Sequence, residues 1–176
     1  HFEAINHRNA IYYVEDIIKK EEPFSEWQIR NIHQLILKNI DDENAGRYRQ
    51  QNVLISGATN TPPDYTLLND KMAQFIDWYN TEADLIHPIA RAAKVHADFV
   101  GIHPFIDGNG RTSRLLMNLE LMKAGYPPCV ITVENRLAYY EALDQWMASG
   151  QTEFFNQLVA DAVLEGFRPY QVVLGI

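Results

Sequence analysis

Apolar residues recur along most of this chain at intervals of three and four, and the runs break at prolines and glycines. Over residues 3–20, Ile5, Ala10, Ile11, Val14 and Ile17 or Ile18 form one face of an amphipathic helix, which Pro23 ends. Ser25 is placed to cap a second helix with Trp27, Ile29, Ile32, Leu35 and Ile36 turned inward. A third covers residues 65–79, with Leu68, Met72, Phe75, Ile76 and Tyr79 on one side. Pro88 opens a fourth, whose inward positions are Ile89, Ala92 or Ala93, His96, Phe99 and Val100. His103-Pro104 closes it, because the residue before a proline leaves the α region. Leu115, Leu116, Leu119 and Met122 mark a fifth helix, with Gly125 at its left-handed C′ position and Pro127 as a stop. Two more follow near residues 135–149 and 152–166, the last with Phe155, Leu158, Val159 and Ala162 inward. The tail from Phe167 is expected either to loosen or to pack as an apron through Tyr170 and Val172.

One stretch departs from the helical period. After polar residues that include Gly46-Arg47-Tyr48-Arg49 comes a β-prone run, Val53-Leu54-Ile55-Ser56, then Gly57 and, further on, Pro62-Pro63. On its own this pattern predicts an ordinary surface hairpin. With no repeat, linker or low-complexity segment, the chain reads as one all-α domain over residues 1–176 with one short hairpin.

Composition narrows the chemistry. The chain has 176 residues, 47% of them hydrophobic, enough for a substantial core. A formal charge of −8 disfavours a nucleic-acid partner, though a few placed arginines suffice for a nucleotide. The single cysteine, Cys129, excludes an internal disulfide and fits a reducing compartment, and the expected location is the cytoplasm. No apolar run reaches membrane-spanning length, so no membrane partner is expected. The chain starts His1-Phe2, and is expected to be a piece of something longer.

The candidate chemistry lies between the fourth and fifth helices. Asp107-Gly108-Asn109-Gly110 feeds directly into a helix N-terminus, where unpaired N–H groups and the macrodipole favour an anion. Gly108 and Gly110 are read as positive-φ positions that let the backbone approach a ligand. Arg111 and Arg114, three apart, can project from one side of the first turn. His103 offers a base and Asp107 a magnesium ligand. Polyphosphate chemistry is the natural expectation. Neither a P-loop nor a kinase glycine loop is present. His33 has no metal partner at helical spacing and is read as a surface or packed residue. His96 is read as a hydrogen-bonded core residue rather than half of a zinc pair.

The run His103-Pro-Phe105-Ile-Asp107-Gly108-Asn109-Gly110-Arg111-Thr-Ser-Arg114 matches the core motif of the Fic family, His-x-Phe-x-Asp/Glu-Gly-Asn-Gly-Arg-x-x-Arg, at every fixed position. The chain therefore resembles that family, whose members are mostly adenylyltransferases moving AMP from ATP to a protein hydroxyl. The resemblance implies the Fic fold, ATP as co-substrate with Mg²⁺, and a Ser, Thr or Tyr of a target protein, or of the chain itself, as acceptor. It makes His103 the general base, Asp107 the Mg²⁺ ligand, and Gly108, Asn109, Gly110, Arg111 and Arg114 the phosphate cradle, with Phe105 fixing the loop in the core.

By the same resemblance the hairpin at Val53, Leu54, Ile55, Ser56 and Gly57 becomes a flap that covers the site and pairs with the target's main chain. Tyr139 and Tyr140 match a pair lining the adenine pocket, while Met147 stands where close relatives carry asparagine. Many members have an inhibitory helix, Ser/Thr-x-x-x-Glu-Gly/Asn, whose glutamate pairs with the arginine matching Arg114. The nearest match here, Asp161 to Gly166, lacks the Ser/Thr. Glu3-Ala-Ile-Asn-His7 resembles the segment that follows this helix in N-terminally regulated members, so the helix is expected just upstream. Close relatives often form homodimers. The alternatives are other Fic chemistries (AMP removal, UMP or phosphocholine transfer, phosphorylation) or a non-catalytic interaction module.

Overall fold

The computed structural model describes residues 1–175. Among them are seven α-helices: α1 (Phe2–Lys19), α2 (Glu26–Leu37), α3 (Leu68–Glu82), α4 (Pro88–Ile102), α5 (Asn109–Lys123), α6 (Arg136–Ser149) and α7 (Glu153–Leu174). The all-α reading holds. The α4–α5 pair is the spine, with the most extensive contact between any two elements. Val95 and Phe99 of α4 and Leu115, Leu116 and Leu119 of α5 join one apolar cluster with α1, α2 and α3. Ala92, Ala93, Ala97 and Val100, with Met117 and Leu121, join a second cluster with α6 and α7. Both helices are thus buried on two sides, which fixes the short link between them, His103 to Gly108, relative to everything else.

Local signals explain the ends of the spine. Pro88 occupies the first turn of α4, and His87 caps it by accepting the Ile89 N–H. Gly125 follows α5 at φ +84°, its N–H donating to Met122 and the Tyr126 N–H to Leu121, a Schellman closure. Glu120 of α5 is buried, accepts a bond from the Tyr79 hydroxyl at 2.7 Å, and pairs with Arg91 Nε at 3.2 Å. It ties α3, α4 and α5 together.

Three expectations need correction. Trp27 is exposed, because it lies about 200° around the helix from Ile29. The buried stripe of α2 is Ile29, Ile32, His33, Ile36 and Leu37. Secondly, α7 continues through Gly166 and Pro169 to Leu174, so the tail is helical. Glu165, whose carbonyl loses its donor at Pro169, is exposed and open to water, and a Cβ at Gly166 would lie 3.2 Å from the Pro128 carbonyl. Thirdly, the stretch from Val53 to Pro63 contains no paired strand. It is an extended segment and a turn at Ser56-Gly57, closed by Ala58 N–H to Ile55 O at 3.2 Å. Pro62 and Pro63 have no N–H to offer a ladder, which disfavours pairing at the far end of the second arm.

Candidate active site

The site begins with an unusual residue. His103 terminates α4 at φ 50°, ψ 58°, left-handed although it carries a side chain. Its N–H still donates to Phe99 O, so it closes the helix while turning the chain. Its ring Nδ1 lies 3.3 Å from the Val100 carbonyl. A carbonyl only accepts, so Nδ1 carries the proton and Nε2 keeps its lone pair. Burial lowers the pKa of this half-buried ring from its ordinary value, favouring the neutral form.

The loop that follows is closed by its own side chains. Asn109 is buried, accepts the Phe105 N–H at 2.9 Å and donates to the Phe105 carbonyl at 2.8 Å. Its amide is engaged inside the loop, and what it offers a ligand is backbone N–H. Gly108 takes φ +79° and caps α5. Gly110, by contrast, lies in the first helical turn without a positive φ, so the expectation of two left-handed glycines holds for Gly108 alone. The helix begins within the glycine motif, and the N–H groups of Asn109, Gly110 and Arg111 precede the first intrahelical bond, Thr112 N–H to Gly108 O. Asp107 is exposed; one oxygen accepts the Gly108 N–H at 2.6 Å and the other pairs with Arg111 at 3.0 Å. Arg111 also reaches Glu3 of α1 at 3.6 Å.

His33, read from sequence as surface or packed, is fully buried beneath this loop. Its ring stacks on Phe105 at 3.6 Å between centroids. Gly46 N–H donates to Nδ1 at 2.9 Å, so the proton sits on Nε2, which donates to the Asp107 carbonyl at 2.8 Å. A Cβ on Gly108 would meet that same nitrogen at 3.2 Å, so glycine is required there twice over, by φ and by space. Burial pulls the His33 pKa down to about 4, and the ring is neutral at pH 7. The missed signal was its place in the α2 stripe, between Ile29, Ile32 and Ile36.

The flap segment is anchored at its ends. Arg49 donates to the Gln51 and Pro63 carbonyls, and the Asn52 amide binds Asp64 and Tyr65. Further out, Thr59 N–H reaches the Asp144 carboxylate at 3.2 Å and Asn60 donates to the Asp144 carbonyl. Between these points Leu54 is 82% exposed.

Arg114, Tyr139 and Tyr140 line one cavity of about 310 Å³, together with Ile131, Thr132 and Arg136. Tyr139 is largely buried and shares a 2.7 Å hydrogen bond with His96 in the core, so the half-buried Tyr140 presents more of its ring. Met147 lies elsewhere, in a larger cavity of about 670 Å³ between α3, α4, α6 and flap residues Asn60, Thr61 and Pro63. Its sulfur would stand 3.1 Å from a Cβ on Gly101, just before His103. Cys129 is buried and its thiol is pushed up to about 11 by burial, which removes it as a nucleophile.

Residues 23–121 match the Fic/DOC family. This chain belongs to that family. The protein adenylyltransferase Fic of Nematostella vectensis is 42% identical over 82% of this chain and 34% of its own length. That of Culex quinquefasciatus is 37% identical over 92% of the chain and 32% of its own. The solved structure of Fic-1 (residues 134–508) from C. elegans superposes with a TM-score of 0.88 at 34% identity, covering 99% of this chain and 52% of that one. A Fic domain-containing signalling protein from Bacteroides thetaiotaomicron gives 0.83 at 27% identity, over 94% and 69%. The chain spans about a third of the length of the curated relatives it matches.

The donor set of this Fic domain fits a metal brought in with a nucleotide. Among the described residues no group of three metal-ligating side chains occurs, but Mg²⁺ takes one or two carboxylates and fills its octahedron with phosphate oxygens and water. The exposed Asp107 carboxylate, at the edge of the helix N-terminus, is a donor of that kind. No helix among the described residues is long and apolar enough to cross a membrane.

Proposed function

We propose that this Fic domain transfers AMP from Mg-ATP to a serine, threonine or tyrosine hydroxyl of a protein. The observation that carries the reading is His103, whose Nδ1 contact with Val100 leaves Nε2 its lone pair, at the start of the loop that leads into the N-terminus of α5, in a chain whose relatives are named protein adenylyltransferases. The polyphosphate lies against the N–H groups of Asn109, Gly110 and Arg111, with Arg111 and Arg114 as charge partners. Asp107 would hold Mg²⁺, which supplies charge neutralisation across the phosphate oxygens. His103 Nε2 takes the proton of the target hydroxyl as its oxygen attacks the α-phosphorus. The bond to the bridging oxygen breaks, and pyrophosphate leaves with its growing charge facing the guanidinium groups. Tyr140, with Tyr139 behind it, offers a ring face to the base. The extended run Val53-Leu54-Ile55, with Ser56 and Gly57 at the turn, offers open main-chain groups to a target segment, itself or another protein.

Mass spectrometry after incubation with Mg-ATP and lysate tests this. The expected product is an AMP adduct on a hydroxyl side chain that disappears with His103→Ala. A different adduct, or removal of existing AMP, would replace this reading with another Fic chemistry, and no change with any nucleotide would leave an interaction module.

A further inference from the structure

We infer that Arg49 is a positioning residue that locks the backbone of His103 to both ends of the flap, so that base placement and flap geometry are set together by one guanidinium. This rests on reading His103 as the base and the flap as the target's dock.

Arg49 is 3% exposed, and among the described residues no carboxylate forms an ion pair with it. A buried guanidinium with no carboxylate in direct contact, the Asp64 charge acting on it only from a distance, must find its acceptors among carbonyls. It finds three. Nε donates to His103 O at 2.8 Å, one terminal nitrogen to Gln51 O at 2.9 Å, and the other to Pro63 O at 2.7 Å. Its own backbone N–H donates to Pro104 O at 2.9 Å. One residue therefore holds both carbonyls of the His103-Pro104 step and one carbonyl on each arm of the flap.

His103 needs such a hold. A left-handed conformation in a residue with a side chain persists only where its surroundings over-determine it. The bond through His103 N–H constrains one side of the residue, and Arg49 constrains the other. Arginine suits this task because its planar fork meets three acceptors in fixed directions, whereas lysine brings a single nitrogen. The flap arms lack strand pairing, so these carbonyl bonds, with the Asn52 staple, set their separation.

The test uses Arg49→Lys and Arg49→Gln in the whole chain. Amide exchange is followed over residues 50–63, over 102–106, and over 115–121 as a fold control. Mg-ATP affinity is read by calorimetry and automodification by label from α-phosphate-labelled ATP. Exchange should rise in the first two segments together, with the control unchanged and Mg-ATP affinity held within about threefold. The rate at saturating ATP should fall roughly tenfold for lysine and about a hundredfold for glutamine, the scale of a misplaced catalytic group. Faster exchange in one segment alone, or in neither, overturns the coupling. So does loss of the control's protection in both variants, or a rate that falls only in step with ATP affinity, since either marks general structural support. His103→Ala, run beside them, separates the two readings. If it keeps the wild-type rate the base assignment fails, while the exchange data still decide the link.

Discussion

The α4–α5 loop is held from inside, by groups that no solvent reaches. Asn109 closes it on Phe105, and His33 stacks beneath it and binds the Asp107 carbonyl. The flap is held only at points. Arg49 and Asn52 pin its ends and Asp144 pins its outer turn, and Leu54 lies bare between them. Buried, satisfied polar networks rigidify a structure, whereas exposed backbone with few apolar contacts opens locally. Under the proposed function this contrast is a division of labour in which phosphate contacts are preorganised and a target segment is accommodated by an adaptable edge.

The comparison breaks most readily at the loop. With His103→Ala, transfer should fall by about 10²–10⁴-fold, the usual worth of a positioned base, while calorimetry still shows Mg-ATP binding. A mutant that modifies itself at the wild-type rate would remove His103 from the chemistry. Asp107→Ala should come next, and should abolish the Mg²⁺ dependence of nucleotide affinity. Equal ATP affinities with and without Mg²⁺ in the wild type would show that this carboxylate holds no metal.

These loop residues were legible in the sequence because their chemistry is local. Twelve consecutive residues carry the histidine proposed as base, the carboxylate, the glycine and both arginines, and helical periodicity on either side places them at a helix junction. What holds them was not legible. His33 lies 74 residues from Asp107, and Arg49 lies 54 from His103. Nothing in either local pattern names such a partner, although a histidine inside an apolar stripe and an arginine after Gly46 were both visible. The flap was misread as a paired hairpin because β-prone residues signal extension, and extension needs no ladder when the second arm carries two prolines. In α2 the expected stripe holds at Ile29, Ile32 and Ile36 and fails at Trp27, a bulky residue that the helical period puts on the solvent side.

His33 sharpens the comparison through stability rather than rate. His33→Ala removes a stacked ring and strands the Gly46 N–H, and should cost about 2–4 kcal/mol of unfolding free energy. It should also change the response to acid. Burial lowers the native pKa to about 4, whereas the unfolded ring titrates near 6.5. Between those values the unfolded state binds more protons, so this contribution is complete above about pH 6.5 and is lost as pH falls toward 4. The shift corresponds to roughly 3 kcal/mol. His96, pushed down to about 3 by burial, adds a limb of the same sign. Urea unfolding between pH 4.5 and 7.5 should therefore show a steep acid loss in the wild type and a shallower one in His33→Ala. Identical slopes would mean that the ring beneath the loop is not the neutral donor described here.

The smallest expected effect lies at the flap. Asp144→Ala deletes the carboxylate that receives the Thr59 N–H at 3.2–3.3 Å and the Asn60 amide at 3.3 Å, while the Asp144 carbonyl that receives the same amide remains. The lost contacts are long and at most partly buried, so the unfolding free energy should change by no more than about 0.5 kcal/mol. Its consequence is local. Held to α6 only through the Asn60 amide, residues 57–60 should exchange their amides several-fold faster, with the loop at 105–111 unchanged. Mg-ATP affinity should stay near wild type, and the rate should weaken through target capture, as a higher target concentration for half-maximal rate. If Asp144→Ala lowers stability as much as His33→Ala does, the flap's outer turn belongs to the rigid framework, and the distinction between a preorganised loop and an adaptable edge fails at that residue.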